Sequence, residues 1–242
     1  MNGVQLDGKY SRKFQKVNNL GLKERQERDR EAVSRSILDA ARELFVTHGY
    51  QEVSIRKIAE RIEYSPAAIY SYFPSKDDIF FALAEEGFRL LFSYGASPRP
   101  AAAGDPLDAI RAMFWRYYEF SKEHPEYFAL MFLDRSVPRI SKNWNRFVFV
   151  GEMRHEMVVR IQQAIDAGAF PAGTEPSAVF RILLTSLHGA ATMQICNRLA
   201  EGENADALAR LTLETALTGL RGGAGITTEL SFECSHSEER QS

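Results

Sequence analysis

The sequence predicts an all-α protein of about nine helices, and three observations support this fold class. Apolar residues recur at the spacing of amphipathic helices, while the alternation typical of strands is nearly absent. Most segments open on a capping residue such as Ser, Asp or Asn. Several of these caps are followed directly by proline, which is favoured at the first position of a helix.

The composition is that of a soluble globular protein, with 45% hydrophobic and 26% charged residues among 242. Residues 1–19 contain no apolar stretch typical of a secretory signal, and two cysteines do not make a disulfide framework, which predicts a cytoplasmic protein. Residues 1–76 hold 14 Lys and Arg against 10 Asp and Glu, whereas residues 77–242 hold 16 against 22. A basic front on an acidic body fits a nucleic-acid-binding head.

Changes in composition predict four regions along the chain. Residues 1–28 show no clear period and predict a flexible basic arm, residues 29–95 a helical domain with a connecting fourth helix, and residues 105–221 a second helical domain. Residues 222–242 begin with a glycine-rich stretch and predict a disordered tail. A linker rich in proline, alanine and glycine precedes the second domain.

The first domain is predicted to contain four helices. Apolar residues at i, i+3, i+4, i+7 and i+8 from Ile37 form the stripe of a helix that ends near Gly49. Ser54 is a cap for a short second helix, and Ser65 with Pro66 opens a third that reaches about Phe73. Ser75 with Asp78 resembles a capping box that starts the fourth.

The second domain is predicted to hold five more helices, again from their starts. Asp105 precedes Pro106 at the first start, and Pro125 opens the next helix. The predicted spans are about 105–124, 125–133, 142–168, 176–200 and 204–221.

The second and third helices, joined by a tight turn, form a helix-turn-helix pattern, in which the second helix of the pair enters the DNA major groove. Ile55, Ile58, Ile62 and Ile69 would hold the pair against the first helix. Outward-facing small, hydroxyl-bearing and cationic residues suit base edges and phosphates. The candidate DNA-binding residues are Ser54, Arg56, Lys57, Ser65, Ala67, Ala68, Tyr70, Ser71, Tyr72 and Lys76.

Four motifs in this region resemble the DNA-binding domain of the TetR family: ILDAARELF at 37–45, GY at 49–50, SIRKIA at 54–59 and SPAAIYSYFPSK at 65–76. The resemblance covers about residues 30–88. It implies phosphate contacts for Ser54, Tyr70, Tyr72 and Lys76, and an approach to bases by Arg56, Ala67 and Ser71.

Alternatives remain open for some of these residues. Tyr72 is equally well explained as half core, and Lys57 as a solvated charge. For Lys9, Arg12, Lys13 and Lys16 a solubility tail is favoured over contact with the minor groove.

One departure from the TetR pattern falls in the turn between the two short helices. Glu63 occupies a position where the family usually has glycine. If the backbone there is left-handed, a residue other than glycine costs about 1 kcal/mol, and the acid adds repulsion near phosphate. Two alternatives therefore stay open: a helical bundle with no nucleic-acid ligand, and a partner-binding adaptor whose DNA-binding motif has degenerated.

The second domain is rich in large apolar side chains, which are core residues in any interpretation. Aromatic rings with adaptable methionines are also typical of pockets for apolar or amphipathic ligands, and the TetR resemblance implies such a pocket. The candidate ligand-binding residues are Phe114, Tyr117, Tyr118, Phe128, Met131, Phe132, Trp144, Phe147, Met157, His188 and Met193.

Two further segments, FSKEHPEYF at 120–128 and LHGAA at 187–191, are similar to a TetR sensor subclass with a Trp-His-Gly triplet. Here Leu187 stands in place of the tryptophan. A ligand contact and a buried structural hydrogen bond are both open for His188, and the structural bond is favoured.

The last two helices predict a homodimer. Gly189, Ala190 and Ala191 permit close helix approach, and apolar faces come from Leu199, Leu208, Leu211, Leu213, Leu217 and Leu220. A two-fold dimer would place two recognition helices on successive major grooves, about 34 Å apart, as a palindromic operator requires. The expected protein is a repressor that a small-molecule effector releases from double-stranded DNA.

An enzyme is the main rival class. Glu152 and His155 form a Glu-x-x-His motif, but a di-iron bundle needs a second copy, which the chain lacks. Phosphate-binding loops, nucleophile elbows and paired metal-binding cysteines are also missing. We therefore expect no catalytic residue, metal, cofactor or membrane association.

Overall fold

A computed structural model describes residues 8–93, 105–139 and 145–223, and side chains from residue 23 onward within those ranges. This part of the chain is helical and contains no strand, which confirms the predicted fold class. Its α-helices are α1 (Gly8–His48), α2 (Ile55–Arg61), α3 (Pro66–Tyr70), α4 (Lys76–Ser93), α5 (Pro106–Glu123), α6 (Pro125–Phe128), α7 (Val148–Asp166), α8 (Pro176–Ile195) and α9 (Ala205–Arg221). The predicted 222–242 tail lies almost wholly outside the described residues.

The chain divides into two compact units. The first unit comprises Met1–Ala84 together with Asp134–Arg139, and the second comprises Glu85–Leu133 and Ile140–Ser242. The division therefore falls inside α4 rather than in the predicted linker, which itself lies outside the described residues. Six residues from the middle of the sequence join the first unit.

The N-terminal arm is where the structure departs most from expectation. Helix α1 begins at Gly8, so the expected irregular arm is wrong for residues 8–28. The physical reason is intrinsic propensity: residues 23–32 are almost all Lys, Glu, Arg, Gln and Ala, which favour helix without an apolar face. All ten of these side chains are exposed, so periodic burial could not reveal the helix.

The first unit packs three helices through short aliphatic side chains. Ile37 and Ala41 of α1 are fully buried, as are Ile58 of α2 and Ile69 of α3. The chain leaves α1 through Gly49, whose positive φ of 77° is a conformation that glycine adopts without strain. The predicted helix starts are confirmed, because Ser54 and Ser65 accept hydrogen bonds from the backbone N–H groups of Lys57 and Ala68.

In the second unit, α8 packs against α5, α7 and α9. The predicted starts of α5, α8 and α9 are confirmed, because Asp105, Glu175 and Asn204 accept hydrogen bonds from backbone N–H groups there. Helix α6 continues directly into a π-helical turn, Ala129–Leu133. The predicted 125–133 helix is confirmed in extent, but the π turn is a geometry that propensity and capping do not reveal.

Two helices of the second unit are shorter than expected. Helix α8 ends at Ile195 rather than near residue 200, because the chain turns at Asn197, which adopts a positive φ of 53°. Helix α7 begins at Val148, and residues 140–144, where its start was expected, lie outside the described residues.

Candidate DNA-binding surface and sensor interior

The turn between α2 and α3 is held by backbone hydrogen bonds. Tyr64 N–H donates to Ala59 O at 2.9 Å, and Glu63 N–H donates to Glu60 O at 3.3 Å. Glu63 has a φ of 59°, so the left-handed backbone that the sequence left conditional is present. A side chain in this conformation costs about 1 kcal/mol relative to glycine. The Glu63 side chain is exposed, which leaves its charge in solvent.

Helix α3 has one buried and one open side. Ile69 is fully buried, while Tyr70 is 54% exposed, and Ala67 and Ser71 are also exposed. The Ser71 hydroxyl donates to Ala68 O at 2.7 Å, a local bond that a competing acceptor can replace. Small residues beside a protruding phenol give this side the shape of a surface that approaches DNA closely.

The two cations on α2 lie on its exposed side. Arg56 donates to Glu60 Oε1 at 2.9 Å, and both side chains are largely in solvent. Lys57 Nζ donates to Glu52 O at 2.7 Å. An exposed ion pair of this kind contributes little free energy, so Arg56 can exchange Glu60 for another acceptor at small cost.

A contact that the sequence did not reveal joins α1 to the end of α3. The Arg30 guanidinium donates to Ser71 O at 3.3 Å and lies 5.2 Å from the centre of the Tyr72 ring. Tyr72 is half-buried, as the sequence reasoning had left open. A cation 41 residues earlier in the sequence carries no local signal, and only an alignment of helix faces would have pointed to it.

Lys76 does not present its charge as the family resemblance implied. Its ammonium donates to Tyr50 O at 2.8 Å and Val53 O at 2.9 Å, and lies 4.1 Å from the centre of the Tyr50 ring. Burial lowers the pKa of Lys76, although the nearby Asp77 acts in the opposite direction. The cation closes the turn after α1, so its first role in the chain is structural.

Tyr50 lies at the centre of a second network that the sequence did not reveal. Its hydroxyl donates to Asp77, and its backbone N–H donates to Asp134 Oδ2 at 3.3 Å. Burial, followed by the hydrogen bond to Asp77, raises the pKa of the Tyr50 phenol. Gln51 donates to Ser136 O at 3.1 Å, so the segment 134–139 is tied to the turn after α1 at two points.

Asp134 organises that segment. Its Oδ1 accepts from the backbone N–H of Ser136 at 2.8 Å and from the Ser136 hydroxyl at 2.6 Å. Burial opposes the charged form, but the hydrogen bonds from Ser136 and Tyr50 lower the pKa of Asp134 overall. The carboxylate therefore stays charged and accepts three hydrogen bonds.

In the second unit the structure brings four of the predicted ligand-binding residues together. Tyr117, Phe128, Phe132 and His188 form one cluster, with ring centres 5.0 to 6.4 Å apart. The Tyr117 hydroxyl lies 2.8 Å from His188 Nδ1. Burial lowers the pKa of His188 and raises that of Tyr117, so both groups are held in their neutral forms.

Other predicted residues extend this cluster. The Phe147 ring centre lies 5.9 Å from that of Phe88, and Phe88 lies 6.0 Å from Phe132. Met131 packs so closely on Gly87 that a Cβ added there would meet its sulfur. Phe114 is fully buried against Phe180, and Met157 is half-buried on α7.

Two predicted ligand-binding residues lie elsewhere. The Tyr118 hydroxyl donates to Gln194 and to Asp206 at 2.8 and 2.9 Å, so its polar end points toward α9 rather than the cluster around Tyr117. Neighbours on a helix are about 100° apart, which is why Tyr117 and Tyr118 cannot share a direction. Met193 is 38% exposed and is not an interior residue. Trp144 lies outside the described residues.

The proposed dimer surface also needs correction. Leu213, Leu217 and Leu220 are buried within their own chain and cannot serve a partner. Leu211 is 65% exposed, and an added Cβ at Gly189 would meet nothing within 4 Å. The apolar surface left open on α8 and α9 is therefore narrower than the leucine spacing predicts.

The rival metal motif lies on α7. Glu152 and His155 are both exposed. No group of three or more His, Cys, Asp or Glu side chains within the described ranges is arranged to hold a metal ion. In the same ranges, no helix has the length and apolar character needed to cross a membrane.

The geometry of the first unit defines the class: a helix-turn-helix module whose second helix faces outward. Family models agree in both halves of the chain. Residues 37–83 match the model described as bacterial regulatory proteins, tetR family, and residues 110–216 match the tetracyclin repressor-like C-terminal domain. The chain belongs to the TetR family, and the resemblance carried by the sequence motifs is confirmed.

Curated relatives match mainly in the first unit. An HTH-type transcriptional repressor of Mycobacterium tuberculosis is 44% identical over 52 residues, which is 22% of this chain and 28% of that protein. The repressor AcnR of Corynebacterium diphtheriae is 40% identical over 50 residues, 21% of this chain and 26% of its own. The nucleoid occlusion factor SlmA of Haemophilus ducreyi is 32% identical over 77 residues, 32% and 38% of the two chains.

Solved structures match over most of the chain. The fatty acid degradation regulator FadR from Bacillus halodurans superposes with a TM-score of 0.63 at 16% identity, covering 78% of this chain and 96% of that one. A TetR-like transcriptional regulator from Rhodococcus sp. RHA1 gives 0.57 at 22% identity, covering 80% and 96%. These likenesses extend the shared fold to both units.

Proposed function

We propose that this protein is a transcriptional repressor that binds a palindromic DNA operator as a homodimer and is released by a small apolar or amphipathic effector. The observation that carries the proposal is the open side of α3, where Ala67, Tyr70 and Ser71 face solvent above a fully buried Ile69. The named repressors among the relatives match this same segment. Acting on DNA, the protein would work in the bacterial cytoplasm.

Phosphate contacts would come from Ser54, Ser65, Tyr70 and Tyr72, and base contacts from Arg56, Ala67, Ala68 and Ser71. Lys57 can turn toward phosphate at small cost, because its ammonium is bonded to the backbone carbonyl of the exposed Glu52. Lys76 would act on DNA indirectly, by fixing the turn from which α2 starts.

The homodimer would form through α8 and α9. Gly189 leaves space beside α8, and Leu211 and Met193 are the large apolar side chains exposed on these two helices. Two such helices from each subunit make a four-helix bundle, a common arrangement for two-fold assemblies.

The effector would enter the interior around Tyr117. The cluster is aromatic, and its polar pair, Tyr117 and His188, is held neutral by burial. An interior of this kind favours a ligand with an apolar body and one neutral hydrogen-bonding group. The half-buried Phe132 and His188 are the members through which such a ligand would gain access.

Helix α4 is the obvious route from effector to DNA, because it begins in the first unit and ends in the second. An effector that prefers one arrangement of the dimer would weaken the operator complex. By thermodynamic linkage, DNA would weaken effector binding by the same factor.

Repeated selection from a random-sequence duplex library, followed by sequencing, tests the proposal. A repressor of this kind enriches a palindrome whose half-sites lie about one helical turn apart. Failure to enrich any duplex, with an intact folded dimer, would instead support the adaptor hypothesis. Native mass spectrometry of the purified protein then reports both the dimer and any retained effector.

A further inference from the structure

Helix α1 is far longer than the first unit needs for packing. It runs over 41 residues, but its buried face begins only at Ile37. Residues 23–32 are all exposed, and the helix continues back to Gly8. From Arg30 to Gly8 this extension spans about 33 Å, close to one turn of a DNA duplex.

The charges of the extension follow the helix period. Lys9, Arg12, Lys13 and Lys16 stand at i, i+3, i+4 and i+7, and therefore share one face of α1 by register. Residues 8–22 contain these four cations and no carboxylate. The result is a continuous basic stripe rather than the mixed charge of an ordinary solvated helix.

By register, the stripe continues toward the side of α1 that packs on the first unit. Lys9, Lys16, Lys23, Arg30 and Ile37 are each seven residues apart, a spacing that drifts by only about 20° around the helix per step. Ile37 is buried against the unit, and Arg30 is fixed to the C-terminal end of α3 through Ser71 O. The basic face is thus continuous with the face that contacts the end of α3.

We propose that the N-terminal extension of α1 binds the phosphate backbone of DNA flanking the sequence that α3 contacts. This inference rests on the proposed function. Its support is charge complementarity, since the stripe is purely cationic where DNA is purely anionic, and continuity with α3 through Arg30. Each cation that neutralises a phosphate releases a counterion and makes binding depend on salt.

An anionic membrane surface is the other ligand that a basic helix can attract. Tyr10, Phe14 and Val17 stand at i, i+4 and i+7 and form an apolar row beside the stripe by register. The anchoring of Arg30 at the end of α3 favours DNA, because it fixes the extension next to the candidate DNA-binding helix.

The test compares substitutions on and off the stripe. Lys13→Gln with Lys16→Gln removes two charges from the stripe, and Arg25→Gln with Arg28→Gln removes two that lie away from it as a matched control. Glutamine retains helix propensity, which circular dichroism checks. Binding is measured from about 50 to 200 mM salt, with a selected duplex trimmed to its palindrome and with the same duplex extended by about ten base pairs on each side.

On the extended duplex we expect the stripe variant to bind about tenfold or more weakly than wild type at the lowest salt. Its slope of log affinity against log salt should fall by about 0.9 for each phosphate that the protein no longer neutralises. The control variant should keep the wild-type slope, and all three proteins should bind the trimmed duplex alike.

Equal weakening in both variants, or none in either, would overturn the proposal while leaving the selected operator, and with it the repressor function, intact. So would stripe-dependent binding to phosphatidylglycerol vesicles with an unchanged DNA slope. If selection enriches no duplex at all, the repressor function itself fails, and this inference fails with it.

Discussion

The helix-turn-helix pair and the interior around Tyr117 place their polar groups on opposite sides. In α2 and α3 the buried side is aliphatic, and the polar side chains face solvent with local, replaceable partners such as Glu60 for Arg56. Around Tyr117 the hydroxyl and His188 Nδ1 satisfy each other inside a set of rings. The first region is rigid and offers its polar groups outward, whereas the second keeps a neutral polar pair within an apolar interior.

This contrast indicates how the two regions recognise ligands. Short aliphatic side chains such as Ile58 and Ile69 fill the first core completely and fix the direction of α3. Rings and methionine accept small rearrangements, which suits an interior that has to admit a ligand. Substitutions should therefore separate stability from binding in the first region and combine them in the second.

The largest effect is expected from two adjacent residues of α3. Ile69→Ala removes a fully buried side chain and should lower the free energy of unfolding by about 2–5 kcal/mol. Tyr70→Ala removes a side chain that is 54% exposed and should leave stability nearly unchanged while weakening binding to all DNA sequences alike. Urea denaturation and mobility shifts on the same samples measure both. If Tyr70→Ala destabilises as much as Ile69→Ala, the assignment of the outward face is wrong.

Arg56 sharpens the comparison within α2. Arg56→Ala should relax discrimination at one base pair by about 1–3 kcal/mol while changing stability little, since the side chain is largely exposed. Arg61→Ala is the matched control, because Arg61 is paired with Glu43 at 2.7 Å and was not assigned to the DNA-binding face. Competition assays with operator variants measure the difference. Equal discrimination in both variants would remove Arg56 from the base-contacting set.

Glu63 tests whether the turn limits affinity through its backbone or its charge. Glu63→Gly should stabilise the protein by about 1 kcal/mol by relieving the left-handed conformation, and should also raise DNA affinity by removing a carboxylate. Glu63→Gln removes the charge alone, so it should raise affinity without the gain in stability. Thermal unfolding and DNA titration distinguish the two. Unchanged affinity in both variants would show that this carboxylate lies away from DNA.

The smallest effect is expected in the second region, from the pH dependence of stability. Burial lowers the pKa of His188 below its ordinary 6.5, so folding favours the neutral ring. Its contribution to stability is complete above pH 6.5 and is lost as the pH falls through the folded-state pKa. Denaturant unfolding of wild type against His188→Gln at about pH 7.5 and about pH 5 isolates this dependence. A constant difference between the two proteins across that range would contradict the buried, neutral assignment.

The sequence predicted the first unit more completely than the second for physical reasons. Capping at Ser54 and Ser65 and the burial of Ile58 and Ile69 are local or periodic properties, and they were confirmed. The partners of Arg30 could not be predicted, because the contact with Ser71 spans 41 residues and depends on how helices cross.

In the second unit, composition identified the aromatic residues but not their directions. Tyr118 and Met193 were wrongly assigned to the interior because richness in rings and methionine does not say which side of a helix each occupies. The exposed part of α1 was missed for the opposite reason. It carries no apolar stripe, and its helical signal lies in propensity and in the spacing of its cations.

The return of Asp134–Arg139 to the first unit has a practical consequence for anyone wishing to isolate the DNA-binding half. A fragment cut after α4 would contain all of α1–α4, yet the backbone N–H of Tyr50 and the amide of Gln51 would be deprived of the acceptors that they have in the intact chain. These acceptors come from residues encoded well downstream. A minimal version of this half therefore needs the hexapeptide grafted back, and simple truncation would yield a module with a loosened corner.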